Sequence, residues 1–306
     1  MQPQKIIIKL FALFSVVRGY NLIILMLAEY LASLFIFAPE DSHLEILTSY
    51  KINGIILISV LCVAAGYIIN NFYDLERDSI KRPMQTYLQK QVSQGFKLSV
   101  YTILNAAALI LASTISWRVF LYFFIYQFLV WFYSHKMNRF ALIKNLYMVG
   151  LRIMPFFALL IYFDNFDFNL FLHASFLTIL LLITDIIKDL ASKKADLIYN
   201  YNSIPVKYGD HFTKIITLIL LAIDGIIAFY LLNNYEIGLM KYFFIIAIIL
   251  FIINGILIWR GKTEQDYNIL HYFFKGMIVA GVFSIVLIEI NPLTLQPIAQ
   301  NLGAHQ

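Results

Sequence analysis

The chain has 306 residues, of which 61% are hydrophobic and only 13% are charged. Soluble domains carry about 25% charged residues, so this composition excludes an ordinary soluble domain and predicts an integral membrane protein. The net charge of +5 does not indicate nucleic-acid binding, because basic residues beside membrane spans set topology instead. Cys62 is the only cysteine, which excludes an intramolecular disulfide and a cysteine metal cluster.

Nine segments of the chain are long and apolar enough to cross a membrane, which requires about 20 residues each. The predicted spans are 15–37, 52–72, 97–115, 118–135, 142–163, 169–189, 212–232, 241–259 and 269–290. Loop-forming residues such as Pro39 and Asn233 lie between them. We therefore predict an all-α polytopic membrane protein, one domain over 1–306, with nine transmembrane helices around a central cavity.

Lysine and arginine are distributed unevenly between the two ends of these spans. With the amino terminus in the cytosol, 17 of the 23 basic residues lie in the tail, the inner loops or the inner ends of spans, three lie in outer loops or at the outer ends of spans, and three lie deeper within spans. Such an excess marks the cytosolic side, so the amino terminus is predicted to be inside and the carboxyl terminus outside. The second and sixth spans then run in the same direction and both end at the cytosolic face.

A four-span offset also relates features of the two halves. The second and sixth spans each end in acids followed by basic residues, and the first and fifth carry Arg18 and Arg152. Because an offset of four spans preserves direction, a repeat of this kind is parallel. The pattern is consistent with two four-helix repeats plus a ninth helix.

The second span ends with three polar residues at four-residue spacing, Asn70, Asp74 and Asp78. This spacing places them along one stripe of a helix. Neighbouring carboxylates repel each other, and their charge is costly near a membrane unless a cation lies between them. Mg²⁺ takes oxygen ligands, typically one or two carboxylates together with substrate phosphates. The motif thus predicts a magnesium–diphosphate site, and Arg82 follows closely enough to neutralise phosphate oxygens.

The sixth span ends with a second acid pair, Asp185 and Asp189, one helical turn apart. Asp196 returns to the same face if the helix continues, and Lys188 lies beside the acids where it would contact a phosphate. Two acid pairs at one face predict that metal neutralises the pyrophosphate leaving group of a prenyl diphosphate. Its hydrocarbon tail would then lie in the cavity between the helices.

Taken together, the motifs resemble the UbiA superfamily of intramembrane prenyltransferases over nearly the whole chain. The resemblance rests on the two acidic motifs and on Arg18, Asn21, Tyr133–Lys136, Lys144–Asn145 and Ser203–Gly209. It implies that Asp74, Asp78, Asp185 and Asp189 hold Mg²⁺ and act in catalysis, with Asp196 supporting the metal. It also implies a substrate-binding set formed by Asn70, Arg82, Lys136, Lys188, Arg18, Asn21, Tyr133 and Asn145.

Within that superfamily, Asp185–Asp189 (D-I-I-K-D) and Ser203–Val206 (S-I-P-V) are most similar to the branch that makes digeranylgeranylglyceryl phosphate. This resemblance implies geranylgeranyl diphosphate as donor and geranylgeranylglyceryl phosphate as lipid acceptor. Two loops depart from that branch. Met84–Ser93 lacks the usual basic, proline-containing stretch ending in Ser-Gly, and Ala191–Lys194 replaces the expected acids. Aromatic acceptors, such as quinone precursors or tetrapyrroles, therefore stay open as an alternative.

Two other classes of membrane protein also use clustered acids. Transporter sites usually lie near the midplane on broken helices, often in inverted repeats, whereas these acids lie at the inner edge. A phospholipid-alcohol transferase would have an Asp-Gly pair within its aspartate cluster, and neither motif contains glycine. The sequence favours a Mg²⁺-dependent prenyltransferase in a cell membrane (the inner membrane, if bacterial). Its predicted partners are a polyprenyl diphosphate, a lipid or aromatic acceptor and membrane lipids, without nucleic acid.

Overall fold

The computed structural model of the protein describes residues 3–38, 41–81, 83–137, 140–164, 166–233 and 235–289. Within these ranges the chain is helical and contains no β-strand. The helices are α1 (Pro3–Val16), α2 (Gly19–Ala32), α3 (His43–Thr48), α4 (Tyr50–Lys81), α5 (Pro83–Gln89), α6 (Gln94–Ile115), α7 (Trp117–His135), α8 (Ile143–Phe163), α9 (Phe168–Ala191), α10 (Lys193–Ile198), α11 (Ile204–Leu232), α12 (Lys241–Arg260) and α13 (Glu264–Ser284). A π-helical turn (Ser33–Phe37) extends α2, and short 3-10 turns (Tyr235–Met240 and Ile285–Ile288) precede α12 and extend α13.

Eight of the described helices, counted with these extensions, are long and apolar enough to span a membrane. α7 adds a ninth helix of 19 residues, about 28 Å long, which packs against α4, α6 and α8. The predicted nine-helix fold is therefore confirmed. The largest boundary difference is in α4, which ends at Lys81 and not at 72 because the helix continues past the apolar segment into polar sequence. α11 is interrupted by non-helical backbone at Gly209 (φ 83°, ψ 165°), so its continuous part begins close to the predicted residue 212.

The first spanning helix begins later than the predicted residue 15. The chain turns at Arg18, which has left-handed backbone angles (φ 51°, ψ 54°), and α2 starts at Gly19. Hydropathy cannot detect this break, because α1 is itself apolar enough to merge with the span. The sequence predicted that Arg18 lies inside the first span. In the structure, Arg18 lies just before the first spanning helix.

The spanning helices form two packed groups that close into one ring. One apolar core is built mainly from α2, α4, α6, α7 and α8, and the other from α9, α11, α12 and α13. α8 packs against α9, and α13 packs against α2, so the groups meet along two seams. This five-and-four grouping does not test the internal repeat, which stays a prediction.

Proline in the middle of α8 is accommodated by a tyrosine from the neighbouring helix. Pro155 has no N–H group, so the carbonyl of Leu151, four residues earlier, loses its helical donor. The hydroxyl of Tyr126 in α7 donates to that carbonyl at 3.1 Å. An unsatisfied carbonyl is costly in a membrane, so this contact fixes α8 against α7 next to Arg152.

Candidate active site

The structure brings the two acid motifs together at one end of the helix ring. Tyr201, in the loop after α10, donates its hydroxyl to Oδ1 of Asp74 at 2.8 Å, and α10 itself packs against α4. Tyr133, near the end of α7, lies within electrostatic range of Asp74, Asp185 and Asp189. The motifs are 111 residues apart in sequence (185 minus 74), yet they face one polar site.

Each acid of the second motif is bound by a cation from α8. Lys144 Nζ donates to both carboxylate oxygens of Asp189, at 2.9 and 3.0 Å, and Asn145 Nδ2 donates to Oδ2 at 3.0 Å. About two turns further along the helix, Arg152 Nη1 donates to Oδ1 of Asp185 at 3.0 Å. The Lys144 and Asp189 side chains are only 8% and 7% exposed. A charge buried to this degree requires a partner, and α8 supplies one for each carboxylate.

The first motif presents its polar groups along one face of α4. Asp74 is buried and Asp78 is half-buried on the same face of α4. Oδ1 of Asn70 is buried and has no hydrogen-bond partner among the residues that the structure describes. Buried polar atoms are almost always paired with protein, water or an ion. A bound cation, or water held by one, would supply the missing partner.

The end of α4 that carries this motif is anchored by a buried network centred on Asn71. The Asn71 side chain accepts a hydrogen bond from Lys97 Nζ (2.9 Å) and donates to Gln89 Oε1 (2.9 Å). Gln89 in turn donates to the carbonyl of Ser15 at 3.3 Å. Lys97 is fully buried. The network links α1, α4, α5 and α6, so the short helices α1 and α5 are fixed beside the acid motif.

Arg18 and Asn21 both meet one tyrosine of α4. The Arg18 guanidinium lies 5.1 Å from the centre of the Tyr67 ring, and Asn21 Nδ2 donates to the Tyr67 hydroxyl at 3.2 Å. Tyr67 is about two turns before Asp74 on the same helix. Tyr67 thus holds the Arg18 and Asn21 side chains against α4, the helix that carries the first acid motif.

If α9 continued, as the sequence allows, it would carry Asp196 on the same face as the two acids of the second motif. In the structure, Asp196 does not lie on a continuation of α9. α9 ends at Ala191, Ser192 interrupts the helix, and Asp196 lies on the separate short helix α10. Its side chain is fully buried, and its carbonyl accepts from the N–H of Tyr201 at 2.8 Å. Asp196 therefore lies beneath the loop that carries Tyr201 to Asp74.

Three predicted phosphate-binding cations have different positions. Lys188 is half-buried on α9 between the two acids, and Lys136 is exposed at the residue that ends α7. Arg82 lies outside the described residues. The structure thus places Lys188 on the acid-bearing end of α9 and Lys136 directly after the end of α7.

An apolar cavity lies between the spanning helices, and on α8 its lining begins at Ile153, next to Arg152. Ile153 and Leu180 line the part nearest the acids, whereas Phe37, Leu170 and Ile285 line its far end. Along α9, Leu170 is 15 residues before Asp185, about 22 Å at 1.5 Å per residue. The polar site and the cavity together suit an amphiphile with an anionic head and a hydrocarbon tail.

Within the described part of the chain, no three His, Cys, Asp or Glu side chains are clustered closely enough to hold a metal ion by themselves. Mg²⁺ commonly uses one or two carboxylates and takes its remaining oxygens from substrate phosphates and water. Two carboxylates in each motif, together with the unpartnered Asn70 oxygen, fit that kind of ligand set. The residues fit a cation that arrives with a diphosphate, and not a closed protein cage.

Two side chains at the site were not predicted from the sequence. The sequence singles out Lys144 only as part of the Lys144–Asn145 motif and gives it no role, whereas its buried contact with Asp189 does. Tyr201 belongs to a polar loop, Tyr199–Ser203, in which no spacing distinguishes one residue from the next. Contacts between distant segments of the chain reveal both residues.

The fold and site define a class of polytopic helical membrane enzyme, with paired acids at the mouth of an apolar cavity. A family model described as the UbiA prenyltransferase family matches residues 14–278. The chain belongs to the UbiA prenyltransferase family, and the enzymatic activity of this family is prenyl transfer. No curated protein matches the chain in sequence.

Solved structures of the same fold cover nearly all of the chain. A digeranylgeranylglyceryl phosphate synthase is 18% identical, with a TM-score of 0.64, over 92% of this chain and 98% of its own. A UbiA homologue from Archaeoglobus fulgidus, bound to DMAPP and Mg²⁺, is 16% identical with a TM-score of 0.66, covering 90% and 98%. A UbiA homologue from Aeropyrum pernix K1 is 14% identical with a TM-score of 0.62, covering 88% and 96%.

Proposed function

We propose that this protein transfers a geranylgeranyl group from its diphosphate to a lipid acceptor, geranylgeranylglyceryl phosphate, with Mg²⁺ as cofactor. The observation that carries the proposal is that Tyr133 lies within electrostatic range of Asp74, Asp185 and Asp189, so both acid motifs face one polar site at one end of a bundle that also contains an apolar cavity. The Archaeoglobus relative bound to DMAPP and Mg²⁺ supports an allylic diphosphate donor and a divalent cation.

In this proposal the two acid motifs hold the cation between them. The proposed metal-binding residues are Asp74, Asp78, Asp185, Asp189 and, in a supporting position, Asp196. Mg²⁺ bound there would neutralise the departing pyrophosphate and so weaken the bond to the prenyl carbon. The unpartnered Asn70 oxygen is available as a further oxygen ligand or as an acceptor for metal-bound water.

The chain's own residues prepare the site before substrate arrives. Lys144 and Arg152 fix the carboxylates of Asp189 and Asp185, and Tyr201 fixes Asp74. Groups held in this way need little reorganisation when charge develops on the leaving group. The remaining proposed substrate contacts are Lys136, Lys188 and Arg82 to phosphate oxygens, and Arg18, Asn21, Tyr133 and Asn145 around them.

The reaction exchanges one carbon–oxygen bond for another. The bond between the prenyl C1 and the diphosphate oxygen breaks, and its electron pair leaves with pyrophosphate. The hydroxyl oxygen of the acceptor bonds to C1 and gives up its proton. Burial of Asp74, Asp185 and Asp189 places this step where little water competes with the acceptor.

The length of the cavity supports a donor with four isoprene units. An extended chain advances about 1.2 Å per backbone bond, as an extended polypeptide does, so 16 main-chain bonds span about 19 Å. On α9 the cavity lining runs from Leu170 to Leu180, and the helix covers about 22 Å from Asp185 to the far end of that lining at Leu170. A geranylgeranyl tail fills this length, whereas a chain of eight or more units would extend far beyond it.

For the acceptor, the D-I-I-K-D motif and the fold shared with a digeranylgeranylglyceryl phosphate synthase support geranylgeranylglyceryl phosphate. The loop departures at Met84–Ser93 and Ala191–Lys194 favour an aromatic acceptor as the second candidate. We place the active site at the cytosolic face, since 17 of 23 basic residues lie on the side of the acid motifs.

The test is an assay of purified protein with Mg²⁺ and labelled geranylgeranyl diphosphate, offering geranylgeranylglyceryl phosphate and aromatic acceptors in separate reactions. We expect label in the glycerolipid product, loss of turnover with chelator, and at least about tenfold lower kcat/KM with an eight-unit donor, because about 1.4 kcal/mol of lost tail binding gives that factor. Transfer only to an aromatic acceptor would contradict the lipid assignment. No transfer to any acceptor would contradict the proposed function as a whole.

A further inference from the structure

A second apolar feature, separate from the acid site, runs along the membrane-facing side of α11 and α12. Its walls include Gly225 from α11 and Phe251 and Gly255 from α12. A Cβ added at Gly225 would meet nothing closer than Phe251 at 4.0 Å, so the missing side chain leaves this part of the groove open. Ile226 and Ile252 beside it are 68% and 64% exposed. The groove therefore faces the surrounding lipid.

Positive charge lies at one end of this groove. Trp259 and Arg260, the last residues of α12, line that end and are exposed. Arg260 has no ion-pair partner in the part of the chain that the structure describes. Lys214 of α11 donates to the carbonyls of Trp259 and Gly261, at 3.1 and 2.7 Å, and adds a second cation. This is the end of the bundle that also carries the acid motifs.

The length of the groove corresponds to one leaflet of a bilayer. On α12 it extends from Ile248 to Arg260, about 18 Å at 1.5 Å per residue. The hydrocarbon core of a bilayer is about 30 Å thick, so one leaflet contributes about 15 Å. A single acyl chain with its head at Arg260 matches this depth. A helix from a second copy of the chain would need contact over the full thickness and would leave Arg260 without a counter-charge.

We propose that the groove binds one anionic phospholipid, with an acyl chain between Gly225 and Gly255 and its phosphate on the Arg260 guanidinium. A guanidinium presents paired N–H donors that match phosphate oxygens, and tryptophan beside it is typical of the headgroup level. The acid site takes no part in this binding. The proposal therefore stands or falls independently of prenyl transfer.

The experiment measures the thermal unfolding of the purified full chain in neutral detergent. Phosphatidylglycerol, phosphatidylcholine with the same acyl chains, and inorganic phosphate are added separately. A ligand that binds only the folded state raises Tm by mass action, and we expect a rise of about 2–4 °C with phosphatidylglycerol. Phosphatidylcholine should give a smaller rise and inorganic phosphate none. Arg260→Gln should reduce the phosphatidylglycerol shift to the phosphatidylcholine value, whereas Lys90→Gln, at another exposed cation, should not.

Filling the groove should remove the shift from both lipids. Gly225→Leu fills it from its floor, and Ile252→Trp, at an exposed position, covers it if the glycine variant does not fold. Equal shifts from the two lipids in wild type, or an equal shift from inorganic phosphate alone, would overturn the proposal. A wild-type dimer that Gly225→Leu converts to monomers would also overturn it, because the groove would then be an interface between copies.

Discussion

Replacing Asp74 with asparagine is expected to reduce prenyl transfer by at least about a thousandfold while the protein stays folded. A metal ion contributes several kcal/mol of transition-state stabilisation, and about 4 kcal/mol corresponds to three powers of ten in rate. Asparagine can still accept the hydrogen bond from Tyr201, so the geometry of the loop should persist. The measurement is kcat with labelled geranylgeranyl diphosphate at saturating Mg²⁺, together with the Tm of the variant.

The matched control is Asp210→Asn. Asp210 is an acid on α11 that pairs with Lys193 at 2.7 Å and is 46% exposed, so its loss should change activity little. A kcat for Asp74→Asn within tenfold of wild type would contradict a metal-binding role for Asp74. A variant that lost activity only in proportion to lost Tm would instead assign Asp74 a structural role.

Replacing Lys144 with methionine is expected to destabilise the protein by about 3–5 kcal/mol, because Asp189 would be left buried without its cation. Methionine has nearly the volume of the lysine stem, so the loss isolates the charge and not the packing. The measurement is thermal or chemical unfolding in detergent, compared with Lys136→Met. Lys136 is exposed, and its replacement should change stability by less than about 0.5 kcal/mol.

The double variant Lys144→Met with Asp189→Asn separates stability from chemistry. It removes both charges of the pair, so most of the lost stability should return, since no buried charge is then left without a partner. Activity should stay absent, because the second motif has lost a carboxylate. Wild-type stability in Lys144→Met would show that the ion pair does not support the fold. Full activity in the double variant would remove Asp189 from the proposed metal site.

The fold was predictable from the sequence because its determinants are local. Nine apolar segments of the right length define the spans, and most of their boundaries lie within a few residues of where hydropathy falls. The acids were predictable for the same reason, since the four-residue spacing of Asp74 and Asp78, and of Asp185 and Asp189, fixes a shared helix face. The direction in which each of these helices crosses the membrane then follows from counting the spans. The meeting of the two motifs needs only that two helices run the same way.

Contacts that join distant segments were not predictable from this local information. The hydrogen bond from Tyr201 to Asp74 joins two residues that are 127 positions apart in the sequence. The buried Lys97–Asn71–Gln89 network joins α4, α5 and α6, which differ in length. Arg18 was predicted inside a span because α1 and α2 are both apolar, so hydropathy gives no signal at the left-handed turn. The position of Asp196 could not be predicted without knowing that α9 ends at Ala191. In each case side-chain packing, and not periodicity, decides the position.

The most direct test of the account is equilibrium binding of an unreactive geranylgeranyl diphosphate analogue, measured with and without Mg²⁺. Wild-type protein should bind the analogue tightly only when the cation is present. Asp74→Asn and the Lys144→Met/Asp189→Asn double variant, which each alter one motif, should both weaken Mg²⁺-dependent binding by about tenfold or more, the factor that about 1.4 kcal/mol gives. Wild-type affinity in either variant would contradict the claim that the two motifs grip one diphosphate together.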